Sequence, residues 1–145
     1  MRATYRLQLQ PAFTFDDAAA LADYLAELGI SHVYTSPYLQ ATDGSVHGYD
    51  VVDHSKVRDD LGGEDAHRRM CSAFRSHSLG HILDIVPNHM AAVGRANSWW
   101  WDVLRRGRES PYSTYFDIDW SSHGVRDRDV VVLPVLGDHY GKVLE

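Results

Sequence analysis

The chain has 145 residues, 44% hydrophobic and 23% charged, which is enough for one ordinary core and is the composition of a globular protein. Its net charge of −6 argues against a nucleic-acid partner, and the one local basic cluster, Arg105, Arg106 and Arg108, reads as a solvated helix end. The single cysteine, Cys71, excludes an internal disulfide, no apolar run approaches the roughly 20 residues of a membrane span, and the first six residues lack a signal peptide's apolar stretch; a cytoplasmic protein is expected.

No repeat, low-complexity tract or linker interrupts the chain. Ala3 to Leu9 alternates polar and apolar residues and predicts a first strand. Pro11 and the cap candidates Thr14 and Asp16 open a helix to Leu28, with Leu21, Tyr24, Leu25 and Leu28 as its apolar stripe and Gly29 as its stop. Ser31 to Ser36 predicts a second strand, stopped by Pro37. A polar segment, Tyr38 to Gly62, follows. A second helix is expected from Gly63 to His77, with Met70, Cys71 and Phe74 inward and Gly80 closing it; a third strand runs from His81 to Val86. Strands separated by helical crossovers predict a parallel α/β sheet, in a doubly wound fold or a (β/α) barrel. Beyond Met90, Ser98 caps a short helix through Trp99, Trp100, Trp101 and Leu104. Ser110 to Trp120 reads as aromatic loop, and Val130 to Leu136 as a strand weakened by Pro134.

Parallel α/β folds place their active sites at the carboxyl ends of strands. Those ends are polar here: Gln8 and Gln10 after strand one, "GSVHGYD" (Gly44 to Asp50) after strand two, and Asp84, Asn88 and His89 closing strand three. A carboxylate near a core must be paired or hydrogen-bonded. His47, Tyr49, Asp50, Asp84 and His89 are therefore expected to converge on one polar pocket suited to a polyhydroxylated ligand. Each also has a plain structural use: Asp84 satisfied by a neighbouring arginine, His89 capping a loop, Tyr49 a core aromatic, and the three tryptophans anchoring a loop. Despite nine histidines, no spacing fits zinc, and no G-x-S-x-G, Walker or G-x-G-x-x-G word is present; no metal or cofactor is assigned.

"GYD" (Gly48 to Asp50) followed by "DIVPNH" (Asp84 to His89) resembles the α-amylase superfamily, glycoside hydrolase family 13. The words "TYRLQL", "AELGISHVYTSPYLQA", "GSVHGYDVVD", "LGGE", "ILDIVPNHMA", "WWWDVL", "SPYSTYFDIDW" and "VVLPVLG", in that order, are similar to its trehalose-forming subfamily. The resemblance implies the first three β/α units of a (β/α)8 barrel over residues 1–92, with 93–145 beginning an insertion after strand three. It implies an isomerase that turns the reducing-end α-1,4 bond of maltodextrins into an α,α-1,1 bond by a retaining mechanism, in a pathway with a trehalose-releasing hydrolase. A carboxylate nucleophile and a carboxylic acid, roughly 5–5.5 Å apart, would do the chemistry. By the same resemblance Tyr49 stacks on the sugar being cleaved and His89 bonds its 6-hydroxyl. Asp84 supports the site through an arginine beside the nucleophile, Asp50 and His47 belong to the pocket, and Asn88 corresponds to a calcium ligand of many amylases, with no metal assigned here.

The family's nucleophile, acid/base and third aspartate end strands four, five and seven, and no G-x-R-x-D word occurs in these residues. Asp127, Asp129 and Asp138 match no catalytic region. The 145 residues alone are expected to be inactive and, with open strand edges, marginally stable or self-associating. The alternatives are part of an α-amylase-type hydrolase or a trehalohydrolase, or a sugar-binding remnant without catalysis.

Overall fold

A computed structural model describes residues 1–120, 131 and 137–143, and the chain forms two compact units, Met1–Ser98 and Trp99–Glu145. The first unit runs β1 (Thr4–Leu7), α1 (Phe15–Ala20), α2 (Ala22–Glu27), β2 (His32–Thr35), β3 (Leu39–Ala41), β4 (Val51–Val57), α3 (Gly63–Ser76) and β5 (Gly80–Leu83). Strand β2 lies between β1 and β5, parallel to both, in the register Arg6–Tyr34–Ile82 and Leu7–Thr35–Leu83. The ladders continue past the strands: Ser36 donates to the Leu7 carbonyl and Asp84 to that of Thr35, each at 3.0 Å. Three parallel strands with helical crossovers are the opening β/α units of a (β/α)8 barrel.

Strand alternation divides this sheet's residues between two faces. Leu7, Leu9 and Val33 join Phe15, Ala18, Leu25, Met70 and Phe74 in the core on one face. Arg6, Tyr34, Ile82 and Asp84 share the opposite face, in step with the register. Gly80 lies on that face, where a Cβ would stand 2.4 Å from the His32 ring, so a larger residue there would have to displace that side chain.

The predicted first helix is two six-residue helices broken at Leu21. Asp17 accepts from both the Thr14 backbone N–H (2.8 Å) and the Thr14 hydroxyl (2.7 Å), which fixes the start. The stripe also differs from expectation. Leu25 is buried, but Tyr24 and Leu28 are exposed, and Phe15, Ala18 and Ala22 complete the inner face. Alanines allow the helix to approach closely, so the bulkier residues turn outward. Helix α3 buries Ala66, Met70 and Phe74, with Cys71 half-buried. It is Ser78, at φ +57°, that turns the chain after α3, and Gly80 opens β5. Strand three is shorter than expected: the ladder ends at Leu83, Ile85 points outward, and the Val86 carbonyl is held by His54 Nε2 at 3.1 Å.

The segment Tyr38 to Gly62, read from the sequence only as polar, contains an antiparallel hairpin of β3 and β4. Register shifts on both sides of Gln40 break the alternation that would have revealed it. In the second unit, α4 (Ser98–Arg106) buries Trp100 and Val103. Trp99 stacks on Tyr112 with ring centres 5.5 Å apart, and Trp100 meets Phe116 at 5.0 Å, so two of the three tryptophans anchor the aromatic loop as anticipated. A short helix, α5 (Tyr140–Val143), closes the described chain. The expected strand Val130–Leu136 lies outside the described residues except for Val131, which belongs to no element.

Candidate functional site

The loop from β3 to β4 carries "GSVHGYD", and its shape is set by close backbone packing. Gly48 sits at φ +78°, and a Cβ there would lie 2.1 Å from the Pro37 carbonyl oxygen, so no other residue fits. The Ser45 hydroxyl accepts from the Gly48 N–H (3.1 Å) and donates to Asp50 Oδ1 (2.5 Å), while the Thr42 hydroxyl donates to Asp50 Oδ2. Burial opposes ionisation of Asp50, yet these two hydroxyls and the nearby His47 hold its carboxyl below the usual range. Asp50 is thus a charged brace for the loop, with both oxygens already engaged.

Arg58 anchors the loop from beneath. Its guanidinium, fully buried, donates to both oxygens of Asp60 (2.9 and 2.6 Å) and to the Ser45 carbonyl (2.7 Å). Its Nη1 is buried with no hydrogen-bond partner among the described residues. The sequence offered no signal for this role, since a lone arginine in a polar segment reads as surface.

Tyr49, about one-third exposed, donates its hydroxyl to Asp84 Oδ2 at 2.5 Å, joining the loop to the end of β5. Tyr34, on β2 and the same sheet face, lies near the same carboxylate, whose polar interaction and charge push the Tyr34 hydroxyl up from its ordinary pKa. Tyr34 therefore remains protonated. His89 Nε2 lies 3.0 Å from the Tyr49 carbonyl, and because a carbonyl only accepts, Nε2 carries the proton. His47 Nδ1 accepts from the Tyr49 N–H at 3.0 Å and stands 3.6 Å from Asp50.

An open groove of about 280 Å³ is lined by His47, Tyr49, Asp50, His89, Met90 and Ala91. Four of the anticipated residues thus share one wall. Asp84 joins them through the Tyr49 hydroxyl. Asn88 is exposed and touches the site through His89, its Oδ1 3.3 Å from Nδ1. Among the described residues no group of three or more His, Cys, Asp or Glu is placed to hold a metal. An aromatic ring beside hydroxyl, imidazole and carboxylate groups in an open groove can stack on a sugar ring and bond its hydroxyls.

Fold and site together define the strand-end site of a (β/α)8-barrel protein, present here through three of its β/α units. The α-amylase catalytic-domain model matches residues 19–135, and the chain belongs to that family. A protein of Mycobacterium tuberculosis assigned as a maltooligosyl trehalose synthase is 49% identical over 142 residues, covering 93% of this chain and 18% of that protein. The structure of maltooligosyltrehalose synthase from Arthrobacter ramosus superposes with a TM-score of 0.81 at 48% identity, covering 83% of this chain and 16% of the other. A malto-oligosyltrehalose trehalohydrolase of Rhizobium is 33% identical over 110 residues, 75% of this chain and 18% of its own length. The chain therefore spans less than one-fifth of the length of each.

Proposed function

We propose that these residues form the opening β/α units of a maltooligosyl trehalose synthase. Such an isomerase moves the reducing-end glucose of a maltodextrin from an α-1,4 to an α,α-1,1 bond. The observation that carries this is the 49% identity to the mycobacterial synthase along 93% of the chain. The groove supports it by supplying the sugar-holding half of such a site. Tyr49 offers its ring face to the glucose being transferred, His89 and His47 reach its hydroxyls, and Asp50 fixes the loop. Asp84 is engaged by Tyr49, so its role is support. Asn88 lies beside His89, its Oδ1 3.3 Å from Nδ1.

The bond-breaking carboxylates of the retaining mechanism would come from strands four, five and seven of the barrel. Holding the released glucose until it re-attacks requires that water be kept out, which a closed barrel achieves. No helix among the described residues is long and apolar enough to cross a membrane. Cytoplasmic action on storage maltodextrins, followed by a trehalose-releasing hydrolase, completes the proposal. The residues after 92 would begin the insertion that follows strand three.

The test is product analysis with maltopentaose, using protein expressed from the gene's complete reading frame. Loss of reducing ends without release of glucose is the expected result, and the 145 residues alone should turn over nothing. Net hydrolysis would transfer the assignment to the hydrolytic relatives, for which the likeness to the Rhizobium trehalohydrolase is the supporting observation.

A further inference from the structure

The segment that bears His89 has no secondary structure of its own: no residue from Asp84 to Asn97 belongs to a helix or strand. An irregular segment keeps its place through individual hydrogen bonds and the few side chains it buries. Anchors of both kinds stand near its two ends, and both lead to β4. At the first, Val86 is buried and its carbonyl accepts from His54 Nε2 of β4 at 3.1 Å. At the second, Asn97 is buried and its Nδ2 donates to the Ala91 carbonyl at 3.0 Å. The Ala91 N–H in turn donates to the carbonyl of Val51, the first residue of β4, at 2.8 Å. Between these anchors Pro87, Asn88 and His89 are exposed, and His89 Nε2 reaches the Tyr49 carbonyl at 3.0 Å. Neither His54 nor Asn97 lines the groove.

We infer that His54 and Asn97 are positioning residues for His89, fastening the two ends of its segment to β4 and so setting the imidazole against Tyr49. The inference rests on the proposed sugar role of His89 and adds what holds that ring in place. Asn97 is only 1% exposed, a place where an amide is costly unless bonded, and its Nδ2 is directed at the backbone two residues beyond His89. His54 is half-buried and bonds the backbone three residues before His89. Two ties on opposite sides of one exposed ring limit both its translation and its tilt. Strand β4 begins two residues after Tyr49, so one strand orders both the ring that stacks on the sugar and the imidazole that bonds its hydroxyl. Groups whose separation is fixed before the ligand arrives bind it more tightly, because the ordering cost is already met.

The experiment uses protein expressed from the complete reading frame, and reads maltopentaose Kd by calorimetry beside hydrogen–deuterium exchange of residues 86–97. His54→Leu removes the donor to Val86 and should weaken maltopentaose about 5-fold, the worth of one hydrogen bond. His54→Gln keeps an N–H about as far from the backbone as Nε2 and should restore Kd to within about 2-fold. In a His89→Ala background His54→Leu should change Kd by less than about 1.5-fold, since the group it positions is gone. Exchange over 86–97 should quicken in His54→Leu while β1, β2 and α3 exchange as before. Asn97→Ala, which frees the Ala91 carbonyl, should reproduce the weakening and the faster exchange, and serves where His54→Leu fails to fold. Equal fold-changes with and without His89, a loss in His54→Gln as large as in His54→Leu, or unaltered exchange would overturn the inference. If the unsubstituted protein does not bind maltopentaose, the sugar-site proposal fails, and exchange alone decides the clamp: faster exchange confined to 86–97 supports it, and unchanged exchange overturns it.

Discussion

The two faces of the three-stranded sheet are built on opposite principles. The face toward α1 and α3 is apolar, carrying Leu7, Leu9 and Val33 against Phe15, Met70 and Phe74, and it is held by contact area with little dependence on direction. The other face carries Arg6, Tyr34 and Asp84, and directed hydrogen bonds tie it to the loop that bears Tyr49: Asp84 accepts from Tyr49, and Arg6 donates to Gln8, which donates to the Val46 and His47 carbonyls. Because successive residues of a strand point to opposite sides, the same few strands serve both faces, and folding the first sets the spacing of the second. What the difference teaches is that the site side depends on single atoms, whereas the core side spreads its stability over many. Substitutions that break one atom's geometry on the site side should therefore have effects as large as core truncations.

Gly48→Ala offers the largest test. A methyl group at φ +78° and 2.1 Å from the Pro37 carbonyl cannot be accommodated without moving the backbone of either segment. The expected cost is about 4 kcal/mol, that of a strained, sterically blocked position. Urea unfolding should show the shift in midpoint at an unchanged slope. A loss under about 1 kcal/mol would mean the loop is not tied to Pro37 and that the site side tolerates change as a surface does.

Arg58→Ala comes next. It leaves the Ser45 carbonyl and Asp60 without their donor, and breaking a buried charge pair from one side costs about 3 kcal/mol. Asp60 retains some access to water, which places the expectation at the lower end of the known range. Arg58→Lys should not restore the loss, because an ammonium cannot repeat the planar two-point contact with Asp60. Full rescue by lysine, seen in the same urea experiment, would reduce Arg58 to a simple charge.

Much of the apolar face was legible in the sequence. The alternation at β1, the 14-residue α3 and the order of strands and helices follow from periodicity, which the hydrophobic contacts simply obey. The hairpin β3–β4 was not legible, since its irregular register at Gln40 destroys the alternation that marks a strand. On the site side His47, Tyr49, Asp50 and His89 were expected to converge, because polar residues at strand ends are conspicuous, and they line one groove. Arg58, Tyr34 and Gln8 were not assigned roles. Arg58 looks like any solvated arginine until the loop folds over it. Tyr34 was available in principle: it shares a strand face with Asp84 once β2 and β5 are set in parallel register, but that register becomes known only from the pairing.

The apolar face has one directional feature of its own, and it gives the smallest of the expected effects. His67 and His81 sit among Phe15, Tyr38 and Phe74; His67 Nε2 is 3.1 Å from the Tyr38 hydroxyl and His81 Nε2 is 3.0 Å from that of Thr35. Burial lowers the pKa of both imidazoles from the usual 6.5 and pushes the Tyr38 hydroxyl up to about 12, so all three rings are neutral in the folded protein at neutral pH. The unfolded chain takes up protons at these histidines first, so stability falls as pH drops below 6.5 and is fully present above it. Asp16, Asp17, Asp50 and Asp53, all lowered from 3.8, withdraw their contribution only in a separate, more acidic window. The urea midpoint should therefore be lower at pH 5.5 than at pH 7.5, by less than either substitution above produces. Replacing His81 with Gln, which keeps a polar atom near Thr35 without the titration, should flatten that difference. An undiminished pH dependence with both His67 and His81 replaced by Gln would take the titrating groups off the apolar face and mean that the core is not the acid-sensitive side of the sheet.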